Sequence, residues 1–250
     1  MVALGNHQQP DIDYHATFSP VVKTPTIGLI LSLALTFGWP IRQLDVKSVF
    51  LHGVLTEKVY KRQPPVFIHP YLPRHVCKRK KAIYHLKWAP RAWFHKFINF
   101  LLSHDFTCSP SDTSMFVYHH GSTTVILLLY VDDIILTGSS LSVLKRFISV
   151  LYHHFAMKDL CDLHYFLGAQ VVRNSQGISL TQHKYIHDLI RKFHMHTTKP
   201  IHIPSLSRTS LTLTLRDLLA DPKEYKSMVG ALQYLIMTRP DIAYTIHVVS

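Results

Sequence analysis

The chain has 250 residues, 47% of them hydrophobic, which excludes a disordered tail and allows a substantial core. Lysine and arginine outnumber aspartate and glutamate by 27 to 15, and this net charge of +12 favours a polyanionic partner, nucleic acid before an anionic membrane. The longest apolar stretch, "IGLILSLALTFGW", is too short to span a bilayer, so we expect no transmembrane helix. The 3 cysteines form no CxxC pair, which fits a reducing compartment.

The first part of the chain predicts two helices separated by a strand and a loop. "TPTIGLILSLALTFGWP" contains a helix capped by Thr24, with Pro25 in its first turn and Gly38 and Pro40 closing it, and its nearly uniform apolarity predicts burial on all sides. "IRQLDV" is a strand followed by a turn or short helix, and "QPPVFIHPYLPRH" is a proline-rich loop. "APRAWFHKFINFLLSH" is an amphipathic helix with Trp93 and Phe97 on its apolar face.

The next segments predict a meander of strands. "MFVYHH", "VILLLYV" and "IILTG" are apolar and strand-like, and Asp132 and Asp133 lie at the tight turn between the last two. A capped helix, "SSLSVLKRFISVLYHHF", follows, with an apolar face of Leu144, Phe147, Ile148 and Leu151. A hairpin, "LHYFLGAQVVRNSQGISL", comes after it. This irregular alternation of helices and hairpins indicates an α+β fold.

The C-terminal part predicts two helices joined by a linker. "HKYIHDLIRKF" has an apolar face that includes Tyr185 and Leu189, and we expect this face to point inward. Residues 200–222 are rich in serine and threonine and indicate a linker. The last helix, within 223–250, is broken by Pro240.

The adjacent aspartates in "LLLYVDDIILTG" need a physical explanation, because ionised carboxylates are costly to bury without a compensating partner. Hydrogen bonds, a basic partner or a metal ion would each compensate them, and a simple turn cap is the alternative. A pair of divalent ions that holds a triphosphate and a hydroxyl needs carboxylates from separate segments. Asp45, at the end of an earlier apolar strand, is the candidate from a second segment.

Several blocks occur in order along the chain: "DIDYHATFSPVVK", "GWPIRQLDVKSVFLHG", "KAIYHLKWAPRAW", "SDTSMFVY", "LLLYVDDIILTG", "LHYFLG" and "VGALQYLIMTRPDIAY". In this order they resemble the reverse transcriptase of copia-type long-terminal-repeat retrotransposons, from residue 2 to residue 250. The resemblance implies a right-hand polymerase with fingers, an antiparallel palm sheet and a thumb. It also implies that Asp45, Asp132 and Asp133 are catalytic and bind two Mg²⁺ ions, with Mn²⁺ as a substitute.

The resemblance implies a nucleotide-binding region as well. The aromatic ring at Phe50 would lie under the sugar of the incoming deoxynucleotide and exclude a 2′-hydroxyl; the alternative is an ordinary core position. Backbone amides from Val46 onward would meet the triphosphate. Lys87 and Arg91 are candidates for phosphate contacts, with solvated surface charge as the alternative.

A primer grip is the third implied site. The block "LHYFLG" resembles the hairpin that holds the primer strand, so Tyr165, Phe166 and Gly168 would form its contact region. Core packing is the alternative for the two aromatic residues. The implied partners are an RNA template, a DNA primer, deoxynucleoside triphosphates and other Pol segments, without a membrane.

Some positions depart from the family pattern. His85, Val66 and Cys161 stand where the family usually has glycine, which matters wherever the backbone needs a positive φ angle. Trp88 stands where a glutamine is usual, beside the expected template position, and Leu4 replaces a lysine.

The domain interpretation follows from the resemblance. We expect residues 1–199 to be the polymerase with incomplete, N-terminally truncated fingers, 200–222 to be the linker, and 223–250 to begin a connection toward a ribonuclease H domain that is absent. The expected location is a cytoplasmic virus-like particle with access to the nucleus.

The main function predicted is RNA-directed DNA polymerisation. One rival is a catalytically silent, decayed fragment that only binds nucleic acid. A second rival, a carboxylate-metal nuclease, explains the aspartates but neither Phe50 nor the hairpin that resembles a primer grip.

Overall fold

The computed structural model describes residues 8, 17, 19–53, 55, 59–84, 86–174, 177–200, 219 and 221–250. Leu4, His85 and most of the predicted linker lie outside the described residues. The chain divides into two compact units, Met1–Leu163 and His164–Ser250. No helix within the described ranges is long and apolar enough to cross a membrane.

Helices and antiparallel strands are mixed along the chain, as expected for an α+β fold. The helices are α1 (Thr24–Thr36), α2 (Ala89–Leu102), α3 (Leu141–His154), α4 (His183–Lys192), α5 (Lys223–Leu235) and α6 (Ala243–Val248). The strands are β1 (Ile41–Val46), β2 (Tyr60–Arg62), β3 (Val76–Lys78), β4 (Phe106–Cys108), β5 (Met115–His120), β6 (Thr123–Tyr130), β7 (Asp133–Gly138), β8 (Met157–Asp162), β9 (Tyr165–Phe166), β10 (Ala169–Asn174) and β11 (Gly177–Thr181).

The first unit is built around a six-stranded antiparallel sheet in the order β4-β5-β6-β7-β1-β8. Residues Val125 to Leu129 of β6 are buried without alternation, which is typical of a central strand covered on both faces. Apolar side chains of α2 and α3 pack with those of β1, β6 and β7 in one hydrophobic core. The sheet therefore gives β1 and β7 a rigid support.

The predicted faces of α2 and α3 are confirmed, whereas the prediction for α1 is wrong in two respects. Lys23, rather than Thr24, is the N-cap of α1, although a proline does occupy the first turn. Only one face of α1 is buried, and Leu29 on another face is 59% exposed. Apolar composition alone did not show which sides of the helix the sheet would cover.

A hairpin of β2 and β3 flanks the proline-rich loop, and the sequence analysis missed it. These strands and β4 have three residues each, too few to show a period. Strand β8 was also missed, and its pairing with β1 is interrupted by a bulge between Arg42 and Leu44.

The second unit consists of a three-stranded sheet, β11-β10-β9, and helices α4 to α6. Helix α4 contains no fully buried residue, but Tyr185 and Leu189, on the face predicted to point inward, are half-buried. Its Tyr185 hydroxyl donates to the carbonyl of Ala231 on α5 (3.2 Å), and the side chains of Thr238 and Gln182 are hydrogen-bonded at 2.6 Å. The predicted break at Pro240 is confirmed, because α5 ends at Leu235.

Candidate active site

Two of the predicted carboxylates lie on neighbouring strands in direct register. Asp45 near the end of β1 pairs with Asp133 at the start of β7. Tyr130 also pairs with Asp133, so Val131 and Asp132 form the two-residue turn between β6 and β7. The structure thus brings Asp45, Asp132 and Asp133 to one end of the sheet, with only Asp132 in the turn itself.

The turn has an unfavourable backbone conformation that neighbouring groups hold in place. Val131 has φ 56°, a left-handed conformation that is costly for a β-branched residue, on the order of 1–3 kcal/mol. The indole N–H of Trp93 donates to the Val131 carbonyl at 2.8 Å, and the amide of Val46 donates to the Asp132 carbonyl at 2.9 Å. These bonds fix the carbonyls of the two peptide groups that flank the Cα atom of Asp132.

The electrostatics of the site concentrate on Asp133. Burial, and to a smaller extent the nearby charges of Asp132 and Asp45, raise the pKa of Asp133 to about 6. A weak hydrogen bond from the Gln43 side chain, at 3.4 Å, opposes this rise. Gln43 is buried and Asp132 is exposed, so the site has one closed side and one side open to solvent.

The donor chemistry of this site fits a hard divalent cation, because all three side chains offer carboxylate oxygens. Such a cation would also relieve the repulsion that raises the pKa of Asp133. Among the described residues, however, no three histidine, cysteine or acidic side chains are arranged closely enough to hold a metal. Ligation by all three aspartates would therefore require changes of their side-chain rotamers.

The segment after β1 forms a 3-10 helix, Val49–His52, that contains Phe50. The Phe50 ring is half-buried and contacts the Tyr84 ring edge-on, with 5.1 Å between the centroids. The amide of Val46 is engaged by Asp132, and that of Lys47 donates to the Ala156 carbonyl at 2.7 Å. Of the amides predicted to meet a phosphate, only those after Lys47 remain as candidates.

The other predicted nucleotide contacts lie at the start of α2. Lys87 is exposed, and its backbone amide donates to the Gln8 side chain at 2.8 Å. Arg91 is half-exposed in the first turn of the helix. Trp88 is the N-cap of α2, and its φ of −88° gives this substitution no backbone strain.

The predicted primer-grip residues form the hairpin of β9 and β10 in the second unit. Phe166 is buried at 3% exposure, whereas Tyr165 is 50% exposed. Gly168 has φ 68°, and an added Cβ would lie 2.7 Å from Cε1 of Tyr234. Phe166 thus has a packing role in its unit, and Tyr165 is the aromatic member of the set that is half exposed to solvent.

Cys161 and Val66 both stand where the family usually has glycine, but they differ in their effect on the backbone. Cys161 lies at φ 69°, in the left-handed region that favours glycine. Val66, in contrast, is 86% exposed in a 3-10 helix and is not among the described residues with positive φ. The cysteine therefore strains the backbone, and the valine does not.

Sequence reasoning missed the supports of the turn. Trp93 was predicted only as a core residue of α2, and Gln43 was not singled out. Trp93 lies in the block "APRAWF", but the residue that accepts its hydrogen bond, Val131, is remote in sequence. Such a contact between a side chain and a distant carbonyl leaves no local pattern.

Comparisons with known proteins found relatives along almost the whole chain. The family model "Reverse transcriptase (RNA-dependent DNA polymerase)" matches residues 1–207. The chain is 46% identical over 247 residues to the Retrovirus-related Pol polyprotein from transposon RE1 of Arabidopsis thaliana, covering 99% of this chain and 17% of the relative. It is 45% identical over 247 residues to that from transposon RE2 of the same plant, with the same coverage.

A further relative is the Retrovirus-related Pol polyprotein from transposon TNT 1-94 of Nicotiana tabacum, 37% identical over 260 residues, covering 100% of this chain and 20% of the relative. The chain thus spans only 17% to 20% of the length of these relatives. No solved structure matches. With a family match over residues 1–207 and these relatives along almost its whole length, the chain belongs to the reverse transcriptase family of copia-type retrotransposon Pol polyproteins.

Proposed function

We propose that this chain is an RNA-directed DNA polymerase that extends a primer with deoxynucleotides. The observation that carries the proposal is the register pair of Asp45 and Asp133, with Asp132 in the turn beside them. The sheet of the first unit would be the palm, the β2–β3 hairpin part of the fingers, and residues 223–250 the start of a connection segment. Membership of the family supports the reaction class.

The reaction is attack of the primer 3′-hydroxyl on the α-phosphate of a deoxynucleotide, with pyrophosphate as the leaving group. Mg²⁺ ions, when bound, would stabilise the charge that develops during this in-line transfer. Asp45 and Asp132 are the proposed ligands, and Asp133 would complete or tune the site. Trp93 and Val46 hold the turn so that the carboxylates keep their positions.

The remaining predicted residues have proposed roles around this centre. Phe50 would lie under the deoxyribose, Lys87 and Arg91 would meet phosphates, and Tyr165 would contact the primer strand. The net charge of +12 supports binding to a template and primer, with an affinity that falls as salt rises. The proposed location is the cytoplasmic particle expected from the resemblance.

Primer extension with Mg²⁺ or Mn²⁺ tests the proposal. Wild-type protein should extend a primer on an RNA template, and Asp45→Asn and Asp132→Asn should abolish extension while gel-shift binding persists. Asp105→Asn is a matched control, because Asp105 is exposed, lies outside the site and has φ 62°, which asparagine tolerates. Extension by Asp132→Asn at the wild-type rate would overturn the assignment of the carboxylates.

A silent nucleic-acid-binding protein is the second candidate. The strain at Cys161 and the lack of a ready three-ligand arrangement among the described residues favour it. Binding without extension by the wild-type chain would support this function, and gain of extension by Trp88→Gln would identify the tryptophan as a cause. Degradation of an unprimed template would instead support the nuclease.

A further inference from the structure

Two basic side chains from separate segments lie against the same aromatic ring. His52 ends the 3-10 helix after β1, and its ring centroid lies 5.6 Å from that of Phe155. Lys96 of α2 has its Nζ 5.9 Å from the Phe155 centroid. The Nε2–H of His52 donates to the Lys47 carbonyl at 3.3 Å when this nitrogen carries the proton. The ring of His52 is thereby held in place beside Lys96.

Backbone pairing brings Lys81 to the same place. The amide of Ala82 donates to the Gly53 carbonyl at 3.0 Å, and the amide of Leu55 donates to the Lys80 carbonyl at 3.2 Å. Lys81 therefore lies across from the segment that directly follows His52.

The same segment is packed closely against α2. A Cβ added to Gly53 would lie 2.9 Å from the Cβ of Ala92, which is one helical turn before Lys96. Only a glycine permits this approach. The three basic residues consequently occupy one region, where the end of the 3-10 helix, the Lys81 segment and α2 meet.

Among the described residues, no acidic side chain forms an ion pair with this cluster of His52, Lys81 and Lys96. Burial lowers the pKa of His52 and of Lys96, and the charge of Lys81 lowers both further. Like charges gathered without a counter-charge cost folding free energy, and the cation–π contact of Lys96 offsets only part of this cost. A bound anion would compensate the remainder.

The cluster adjoins the catalytic turn through one side chain. The Trp93 ring lies 5.8 Å from the His52 ring and 5.3 Å from the Phe155 ring, centroid to centroid. The indole N–H of the same residue holds the Val131 carbonyl. The Trp93 side chain therefore bridges His52 of the cluster and Val131 of the turn. Lys81 is exposed and His52 and Lys96 are half-exposed, so a ligand can reach them.

We propose that Lys81 and Lys96, beside the His52 ring, bind a backbone phosphate of a nucleic-acid strand that passes the catalytic turn. This inference rests on the proposed function, since it names where the bound strand is held. Phosphate is the ligand chemistry that two lysines without an acidic partner recognise. The contact is independent of sequence, because it involves no base edge.

The test compares Lys81→Met and Lys96→Met with Lys145→Met, a matched control at an exposed lysine of α3. Affinity for a primer–template is measured against salt concentration. Lys81→Met and Lys96→Met should each weaken binding to every nucleic-acid sequence tested. Each should also reduce the slope of log affinity against log salt concentration by about 0.7–0.9, the value for one phosphate contact. The control should keep the wild-type slope. Unchanged slopes in both cluster variants would overturn the proposal.

Two further arms separate the alternatives. If the variants weaken deoxynucleotide binding but not strand binding, the phosphate belongs to the nucleotide and the strand assignment is wrong. If the wild-type protein binds no nucleic acid, the proposed function fails. In that case, the change in melting temperature on adding pyrophosphate tests whether the lysine cluster binds an anion. Stabilisation that Lys96→Met abolishes and Lys145→Met retains supports the site; no stabilisation of the wild type overturns it.

Discussion

The indole N–H of Trp93 donates a 2.8 Å hydrogen bond to the carbonyl of Val131, which immediately precedes the adjacent aspartates. Val131 has a left-handed backbone that a β-branched residue adopts only under constraint. The bond therefore links a core helix to the turn that carries the exposed Asp132.

Trp93→Phe keeps an aromatic ring in the core but removes this donor. Because the Val131 carbonyl would lose its partner, at a cost of ~1–3 kcal/mol, we expect kcat for primer extension to fall about tenfold or more. The KM for nucleotide should change little. Trp39→Phe, which removes an indole N–H outside the site, is the control. An unchanged kcat for Trp93→Phe would show that the turn keeps its position without the indole.

Asp133→Asn should stabilise the metal-free protein at neutral pH and have no such effect in acid. The folded-state pKa of Asp133 is raised to about 6, so ionisation penalises the folded state above that pH, and the penalty disappears below the ordinary pKa of 3.8. Urea unfolding in the presence of a chelator at pH 4 and pH 7.5 measures the difference. A larger stabilisation at pH 4 than at pH 7.5 would contradict the sign.

Phe50→Ala should reduce discrimination against ribonucleotides, because the ring would no longer fill the space of a 2′-hydroxyl. The readout is the ratio of deoxynucleotide to ribonucleotide incorporation. Tyr84→Ala is a matched control, since it removes the other half of the same ring contact. An equal change of the ratio in both variants would assign Phe50 to packing only.

Cys161→Gly should raise the free energy of unfolding by about 0.5–1 kcal/mol. Removing the Cβ from a residue with a left-handed backbone relieves strain of ~1–2 kcal/mol in the folded state. Glycine has greater backbone entropy in the unfolded chain, and this offsets part of the gain. Val66→Gly, at the other described position where glycine is usual, should give no stabilisation, because Val66 has no positive φ to relieve. Equal effects of the two changes on the denaturation midpoint would argue against backbone strain at Cys161.

The local patterns of the chain predicted many of its elements. The apolar periods of α2 and α3 identified both helices and their buried faces, because each face repeats within one continuous segment. The turn at the adjacent aspartates was predicted in the same way, from two apolar strands with polar residues between them. Short strands such as β2, β3 and β4 have too few residues for a period, and they were missed.

The sequence by itself determined the identity of the carboxylates, the family and the positions that depart from its glycines, since these depend on residue type and order. Only the tertiary structure decided that Asp45 and Asp133 are in register, that Trp93 holds Val131, and that Lys81 and Lys96 lie in one region. The physical reason is the same in each case. Hydrogen bonds and charge interactions act over a few ångströms, and which distant residues come that close depends on how the sheet and helices pack.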